Sequence, residues 1–125
     1  MIKEGPMHFI RFPLPDLESL SSEPGSPAAD RIVSGSPVFR TWMFDARDDD
    51  TLFSGVWESS PGKWRIAYDE WEFCSILSGR SVITHVDGHE MHVSAGDAFI
   101  IEPGFSGWWE VLETTRKTFV VRLPR

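Results

Sequence analysis

The sequence predicts an all-β sandwich or barrel, and three observations carry that reading. From residue 39 onward, short apolar and aromatic runs alternate with turn signals, at the spacing of about 8–12 residues that marks such folds. The runs leave no room for the crossover helices that a parallel sheet requires. Asp87-Gly88, set between two alternating runs, is the signal of a tight antiparallel hairpin, because both central positions favour positive φ.

The chain has 125 residues, the size of one domain. With 41% hydrophobic residues it can bury a core without a disulfide or metal staple. Two segments follow from composition. Residues 1–38 read as an N-terminal arm. Within it His8–Phe12 suits an edge strand, and residues 14–30 are rich in Ser, Pro and acid with no sustained helical period, so they read as irregular. A single helical turn near Asp16–Leu20 fits that stretch. Residues 39–125 read as the barrel.

The barrel strands are expected in order. Phe39–Phe44 is stopped by Asp45 and by Asp48-Asp49-Asp50. Leu52–Glu58 is stopped by Ser59-Ser60-Pro61-Gly62. Trp64–Tyr68, Trp71–Leu77, Ser81–Val86, His89–Ser94, Ala98–Ile101, Trp108–Leu112 and Thr118–Leu123 complete the series. A two-residue turn at Asp87-Gly88 would set Val86 opposite His89 and His85 opposite Glu90. One face then carries Val82, Thr84, Val86, His89, Met91 and Val93 and reads as the core face. His85 and His92 fall on the polar face, with His85–Glu90 as a surface pair.

Charge and composition exclude several function classes. The net charge is −7, and the twelve basic residues form no cluster. Nucleic acids and anionic membranes both depend on clustered Lys and Arg, so neither is an expected partner. The six tryptophans therefore read as core and subunit-interface residues rather than as a base-stacking surface. No apolar run approaches the roughly 20 residues of a membrane helix. Met1–Pro6 lacks the charged-then-apolar order of a signal peptide, so a cytoplasmic protein is expected. The single cysteine, Cys74, excludes an internal disulfide and a cysteine-based zinc cluster.

The candidate chemistry lies elsewhere. His89 and His92 sit three apart in a strand, so they point to opposite faces and do not form a metal pair. Cys74 lies in an apolar strand, where free thiols are mostly packing residues. The run from Tyr68 to Gly79 is more informative. Alternation puts Tyr68, Glu70, Glu72, Cys74 and Ile76 on one face, and its apolar end argues that this face points inward. A buried carboxylate needs a cation, donors or a proton. The structural alternative has Glu70 solvated at the barrel mouth and Glu72 paired with an Arg or Lys.

These residues resemble the two motifs of the cupin superfamily. Glu72, six intervening residues and Gly79 match the end of the first motif, and Gly62 matches its start. Gly96 to Gly104 matches the second, with Glu102 at its proline position. The closest branch is similar to the ureidoglycine aminohydrolase cupin domain and the Q protein of ethanolamine utilisation. The phrases that carry this are Gly55-Val56-Trp57-Glu58, Pro61-Gly62-Lys63-Trp64, Tyr68-x-Glu70-x-Glu72-x-Cys74, Gly96-Asp97-Ala98-Phe99, Pro103-Gly104-Phe105-x-Gly107-x-Trp109-Glu110-Val111 and Thr115-Arg116-Lys117-Thr118-Phe119. The resemblance covers roughly residues 52–123. It implies a double-stranded β-helix, or jelly-roll barrel, with the motif residues facing inward.

The departures from the motifs bear on chemistry. The two histidine positions of the first motif fall on Arg65 and Ala67, or on Ile66 and Tyr68, and that of the second falls on Gly107. Only Glu72 remains of four metal ligands, and one carboxylate does not hold a divalent transition metal usefully. No metal and no cofactor are therefore expected. Placed on the cupin frame, the interior would hold Arg65 or Tyr68, Glu70, Glu72, Trp109 and Lys117, with open volume at Gly107.

Three functions are compatible with that set. The first is a metal-free pocket for a small polar metabolite, amine-bearing or zwitterionic, bound by Glu72 and by Lys117 or Arg65 against Trp109. The second is a metal-independent isomerase, epimerase or lyase with Tyr68 as acid and Glu70 or Glu72 as base. The third is structural. A homodimer is expected, with the N-terminal segment against the partner.

Overall fold

The computed structural model describes residues 3–4 and 8–124. Nearly all of the regular structure is strand. The arm holds β1 (Lys3–Glu4), β2 (Phe9–Ile10), β3 (Glu23–Gly25) and β4 (Ile32–Gly35). The barrel holds β5 (Phe39–Arg47), β6 (Leu52–Ser59), β7 (Gly62–Ala67), β8 (Trp71–His85), β9 (Glu90–Ser94), β10 (Ala98–Ile101) and β11 (Ser106–Arg122). The arm also contains two short 3-10 helices, Leu14–Ser19 and Ala29–Arg31. Among the described residues, no helix is long and apolar enough to cross a membrane.

Two long strands build the barrel. The first half of β8 pairs with β10 and with the second half of β11. The second half of β8 pairs with β9 and with the first half of β11. β11 then pairs with β7 through its first half and β6 through its second. The sheet thus folds over into two layers. One runs β9–β8–β11–β7–β4, and the other β10–β8–β11–β6–β5–β3. Where β8 passes between layers, Gly79 takes φ +86°, a left-handed conformation that suits glycine. β11 makes the same passage through register shifts between Val111 and Lys117.

This corrects two sequence expectations. Trp71–Leu77 and Ser81–Val86 are one strand, and so are Trp108–Leu112 and Thr118–Leu123. The polar and glycine residues between them bend the strand instead of ending it, since each strand serves both layers.

The β8–β9 hairpin also differs by one residue. Thr84 pairs with Glu90, Ile83 with Met91 and Ser81 with Val93. The cause is a longer loop: His85 N–H donates to His89 O, Gly88 N–H donates to His85 O, and Gly88 has φ +97°. A turn closed by a left-handed glycine matches the three-residue hairpin loop rather than the two-residue one. The slip sets Met91 and Val93 beside Ile83 and Ser81, 3% and 1% exposed, instead of beside Thr84 and Val82. The expected His85–Glu90 pair does not form. His85 meets Asp87 at 3.0 Å and Glu90 meets His92 at 3.2 Å.

The apolar residues form two clusters. Trp64, Ile76, Ile83, Val93, Ile101, Trp109 and Val111 pack between the layers. Leu17, Trp42, Phe44 and Val56 pack on the outside of the β5–β6 layer, beneath the arm. Trp42 donates its indole N–H to Leu17 O, 3.1 Å away. Arg40 and Arg116 both bond the Glu18 carboxylate and both bond Glu58. The arm is therefore fastened to its own barrel by a buried leucine and a four-membered ionic cluster. β3 and β4 extend the sheet along β5 and β7, and Phe9–Ile10 pairs with Lys3–Glu4 in a separate two-stranded sheet.

Candidate functional site

A cavity of about 290 Å³ lies between the layers. Alternation along the strands decides what faces it. On β8, Glu72, Cys74 and Ile76 are buried while their neighbours are less so. On β11, Trp109, Lys117, Phe119 and Val121 are buried in the same alternating way. β5, β6 and β7 add Phe39, Met43, Phe53, Trp57, Trp64 and Ile66 to the wall. The result is an aromatic chamber with three charged or polar groups at its centre.

Those groups are linked. Tyr68 donates its phenol O–H to Glu72 Oε1 at 2.6 Å. Lys117 Nζ lies 2.8 Å from Glu72 Oε2, and both side chains are 6% exposed. Lys117 also lies between two indoles, 4.6 Å from the Trp57 ring centroid and 4.4 Å from that of Trp109. Lys117 is the register partner of Trp57 across β11 and β6, which puts the cation against that ring. The Trp109 ring is held by its own N–H, which donates to Ser81 Oγ at 3.2 Å. Ser81 Oγ in turn meets Thr115 Oγ1 at 2.7 Å.

The electrostatics follow from this packing. Burial disfavours charge on Lys117, but the Glu72 and Cys74 sites next to it, with their hydrogen bonds, outweigh burial and raise its pKa above the ordinary value. Burial raises the Tyr68 phenol well above its ordinary range, and the Glu72 carboxylate adds to that. Burial also pushes the Cys74 thiol up to about 12, against the opposing pull of Lys117. At neutral pH the chamber thus holds an ammonium, a protonated phenol and a protonated thiol.

The sequence-derived site residues divide into two groups. Tyr68, Glu72, Trp109 and Lys117 meet at the cavity. Glu70 does not line it. The backbone bends at Asp69–Glu70, which breaks the alternation that would have aimed both carboxylates inward. Arg65 is exposed and lines a different groove, on the outer side of β7. Its neighbours Trp64 and Ile66 occupy the inward positions. Gly107 leaves no open volume: a Cβ there would stand 1.9 Å from Thr84 O. Glycine at this position permits close approach of β11 to β8. The reading from sequence missed Trp57, Trp64 and Phe39 as cavity walls, since only strand pairing brings them to Lys117.

The donor set does not suit a divalent transition metal. Among the described residues, no group of three or more His, Cys, Asp and Glu is placed to hold one. Glu72 is the one acidic side chain of the cavity wall, and the Lys117 ammonium stands at its Oε2. A cation beside that oxygen repels a second.

The family follows from a match that covers β8 and most of β11. A family model described as the EutQ-like cupin domain matches residues 47–119. The chain belongs to that family. No curated protein matches it. Solved structures bear out the cupin fold. A protein of unknown function of the DUF861 family from Pseudomonas syringae pv. tomato aligns with a TM-score of 0.75 at 24% identity, over 82% of this chain and 44% of that one. The chain thus spans less than half the length of that protein. A putative ethanolamine utilization protein Q from Salmonella typhimurium aligns with a TM-score of 0.62 at 17% identity, over 80% of each chain. A predicted oxalate decarboxylase from Thermotoga maritima aligns with a TM-score of 0.68 at 16% identity, over 93% of this chain and 99% of that one. At these identities the likeness shows the cupin fold.

Proposed function

We propose that the barrel cavity of this EutQ-like cupin binds a small zwitterionic metabolite directly, without a metal. The Tyr68–Glu72–Lys117 chain inside an aromatic chamber carries this reading. Each carboxylate oxygen has two acceptor sites; Tyr68 meets one oxygen of Glu72, Lys117 the other, and the Cys74 thiol also bonds the carboxylate. A ligand ammonium can use the remainder. Lys117 has three N–H donors, of which Glu72 takes one and the Cys74 sulfur, at 3.7 Å, takes another weakly. A ligand carboxylate can accept the third. The pair of opposite charges favours a ligand that carries both signs over a simple amine. The indole and phenyl walls enclose its apolar part.

Calorimetric titration with amino acids, simple amines and simple carboxylates tests this, with and without a chelator. Zwitterion binding that survives the chelator and weakens in Tyr68→Phe, a variant that keeps the ion pair, is the expected result. Unchanged affinity in both Tyr68→Phe and Glu72→Ala sinks it. A second reading rests on the 2.6 Å Tyr68–Glu72 contact: a metal-independent isomerase, epimerase or lyase with Tyr68 as acid and Glu72 as base. Turnover of a bound ligand that is lost in Tyr68→Phe while binding persists would favour it.

The same proposal takes the protein as a cytoplasmic homodimer. Val33 and Val38 of the arm are apolar and 54% and 56% exposed, which supports a surface covered by a second copy. Light scattering at micromolar concentration decides between dimer and monomer.

A further inference from the structure

Outside the barrel cavity, Arg31 and Arg65 line one groove, and no acidic side chain lines it with them. Trp64 and Trp109 point into the core, so the next residues along β7 and β11, Arg65 and Trp108, point outward. Arg65 and Trp108 are register partners. Ile32 pairs with Trp64, and Arg31, the residue before it, ends the short 3-10 helix Ala29–Arg31 and lines the same groove as Arg65. Arg65 and Trp108 thus stand side by side on the outer face of the β9–β8–β11–β7–β4 layer, with Arg31 beside them in the groove. These three side chains line one groove of about 190 Å³ with Val86 and Ser106.

Like charges that share one groove repel each other. Arg40, Arg47, Arg80 and Arg116 each meet a carboxylate. Among the described residues, Arg31 and Arg65 make no such pair, and no acidic side chain lines the groove. Lys63 lies 5.9 Å from the Trp108 ring centroid, with Glu110 as its register partner on β11. The groove offers guanidinium forks, a hydroxyl and a flat indole, and no acidic acceptor.

We propose that this groove is a binding site for a small planar organic carboxylate, distinct from the barrel cavity. A guanidinium fork matches a carboxylate through two parallel hydrogen bonds. Trp108 and Val86 supply a flat apolar wall for the ligand body. The volume lies below the roughly 300–1,000 Å³ of pockets for drug-sized ligands, so a single-ring acid suits it. The bound anion would also relieve the repulsion between the two arginines.

Nitrogen-detected NMR titration of the intact chain tests the site, with benzoate as the probe. Benzamide serves as the uncharged isostere and inorganic phosphate as the competing anion. The expected result is saturable shifts at the Trp108 indole N–H and at Arg65. Affinity falls about tenfold or more in Arg65→Gln, binding is absent in the Arg31→Gln/Arg65→Gln double variant, and benzamide has no effect. The unliganded Arg65→Gln protein melts no lower than the parent, which shows that the fold is intact. Four results would each overturn the proposal: no saturable shift with benzoate, equal binding by the double variant, phosphate binding with benzoate silent, or shifts confined to the Trp57 and Trp109 indoles of the barrel.

Discussion

Lys117 Nζ sits 2.8 Å from Glu72 Oε2, with both side chains buried and the cation flanked by Trp57 and Trp109. Each charge is compensated by the other, so removing one leaves an uncompensated charge in a low-dielectric interior. Glu72→Ala and Lys117→Met are each expected to cost about 3–5 kcal/mol. The double change Glu72→Leu/Lys117→Met should cost less than either single change, because no orphan charge remains. Urea denaturation of the three variants gives the coupling. Additive losses would show that the pair does not act as a unit.

Stability should fall on the alkaline side. Lys117 is raised above 10.5, Tyr68 well above 10.0, and Cys74 from 9.0 to about 12. All three hold their protons more tightly in the folded chain than in the unfolded one. As pH rises past 9 the unfolded chain loses protons first, so the folded state is progressively disfavoured. Melting temperature measured from pH 7 to 11 should hold to about pH 9 and then decline. Lys117→Met and Tyr68→Phe should each flatten part of the decline.

The acid limb has a different origin. Hydrogen bonds from Arg40 and Arg116 draw the Glu18 carboxyl from 4.5 down to about 2. Glu58 is also lowered, because those arginines outweigh its partial burial. These contributions are present above pH 4.5 and lost as pH falls toward 2. Glu18 is exposed, so salt should screen its share. Glu18→Gln is expected to reduce the acid sensitivity of the melting temperature at low ionic strength, with little effect in molar salt.

Leu17 is 1% exposed and seats the arm on Trp42, Phe44 and Val56. Leu17→Ala should cost about 2–5 kcal/mol, as buried leucine truncations do. Limited proteolysis should then cut the arm before the barrel. Equal cleavage rates for parent and variant would show that the arm is not held by this contact.

The cupin resemblance sets Gly107 at a metal-histidine position, yet a Cβ there would stand 1.9 Å from Thr84 O, too close for any side chain. Gly107→His should therefore lower stability without creating a metal site. Gly107→Ala should already cost about 1–3 kcal/mol or more through overpacking. A folded Gly107→His variant that binds zinc with useful affinity would show that the two strands can separate there.

Period-two alternation and turn chemistry determined the all-β class, the strand order and the inward face of Glu72, Cys74 and Ile76, because those are properties of consecutive residues. They also picked out Tyr68 and Glu72, and the cupin resemblance added Trp109 and Lys117. The tertiary structure decided everything that depends on which strand lies beside which. Bent strands shared by both layers fused four expected elements into two, and a left-handed Gly88 shifted the hairpin register by one. The bend at Asp69–Glu70 kept Glu70 from the cavity, and Trp64 and Ile66 took the inward positions that left Arg65 outside. Lys117 gained its indole neighbours only through the pairing of β11 with β6. Local alternation sets a side chain's face, but its partners are set by contacts between residues dozens of positions apart.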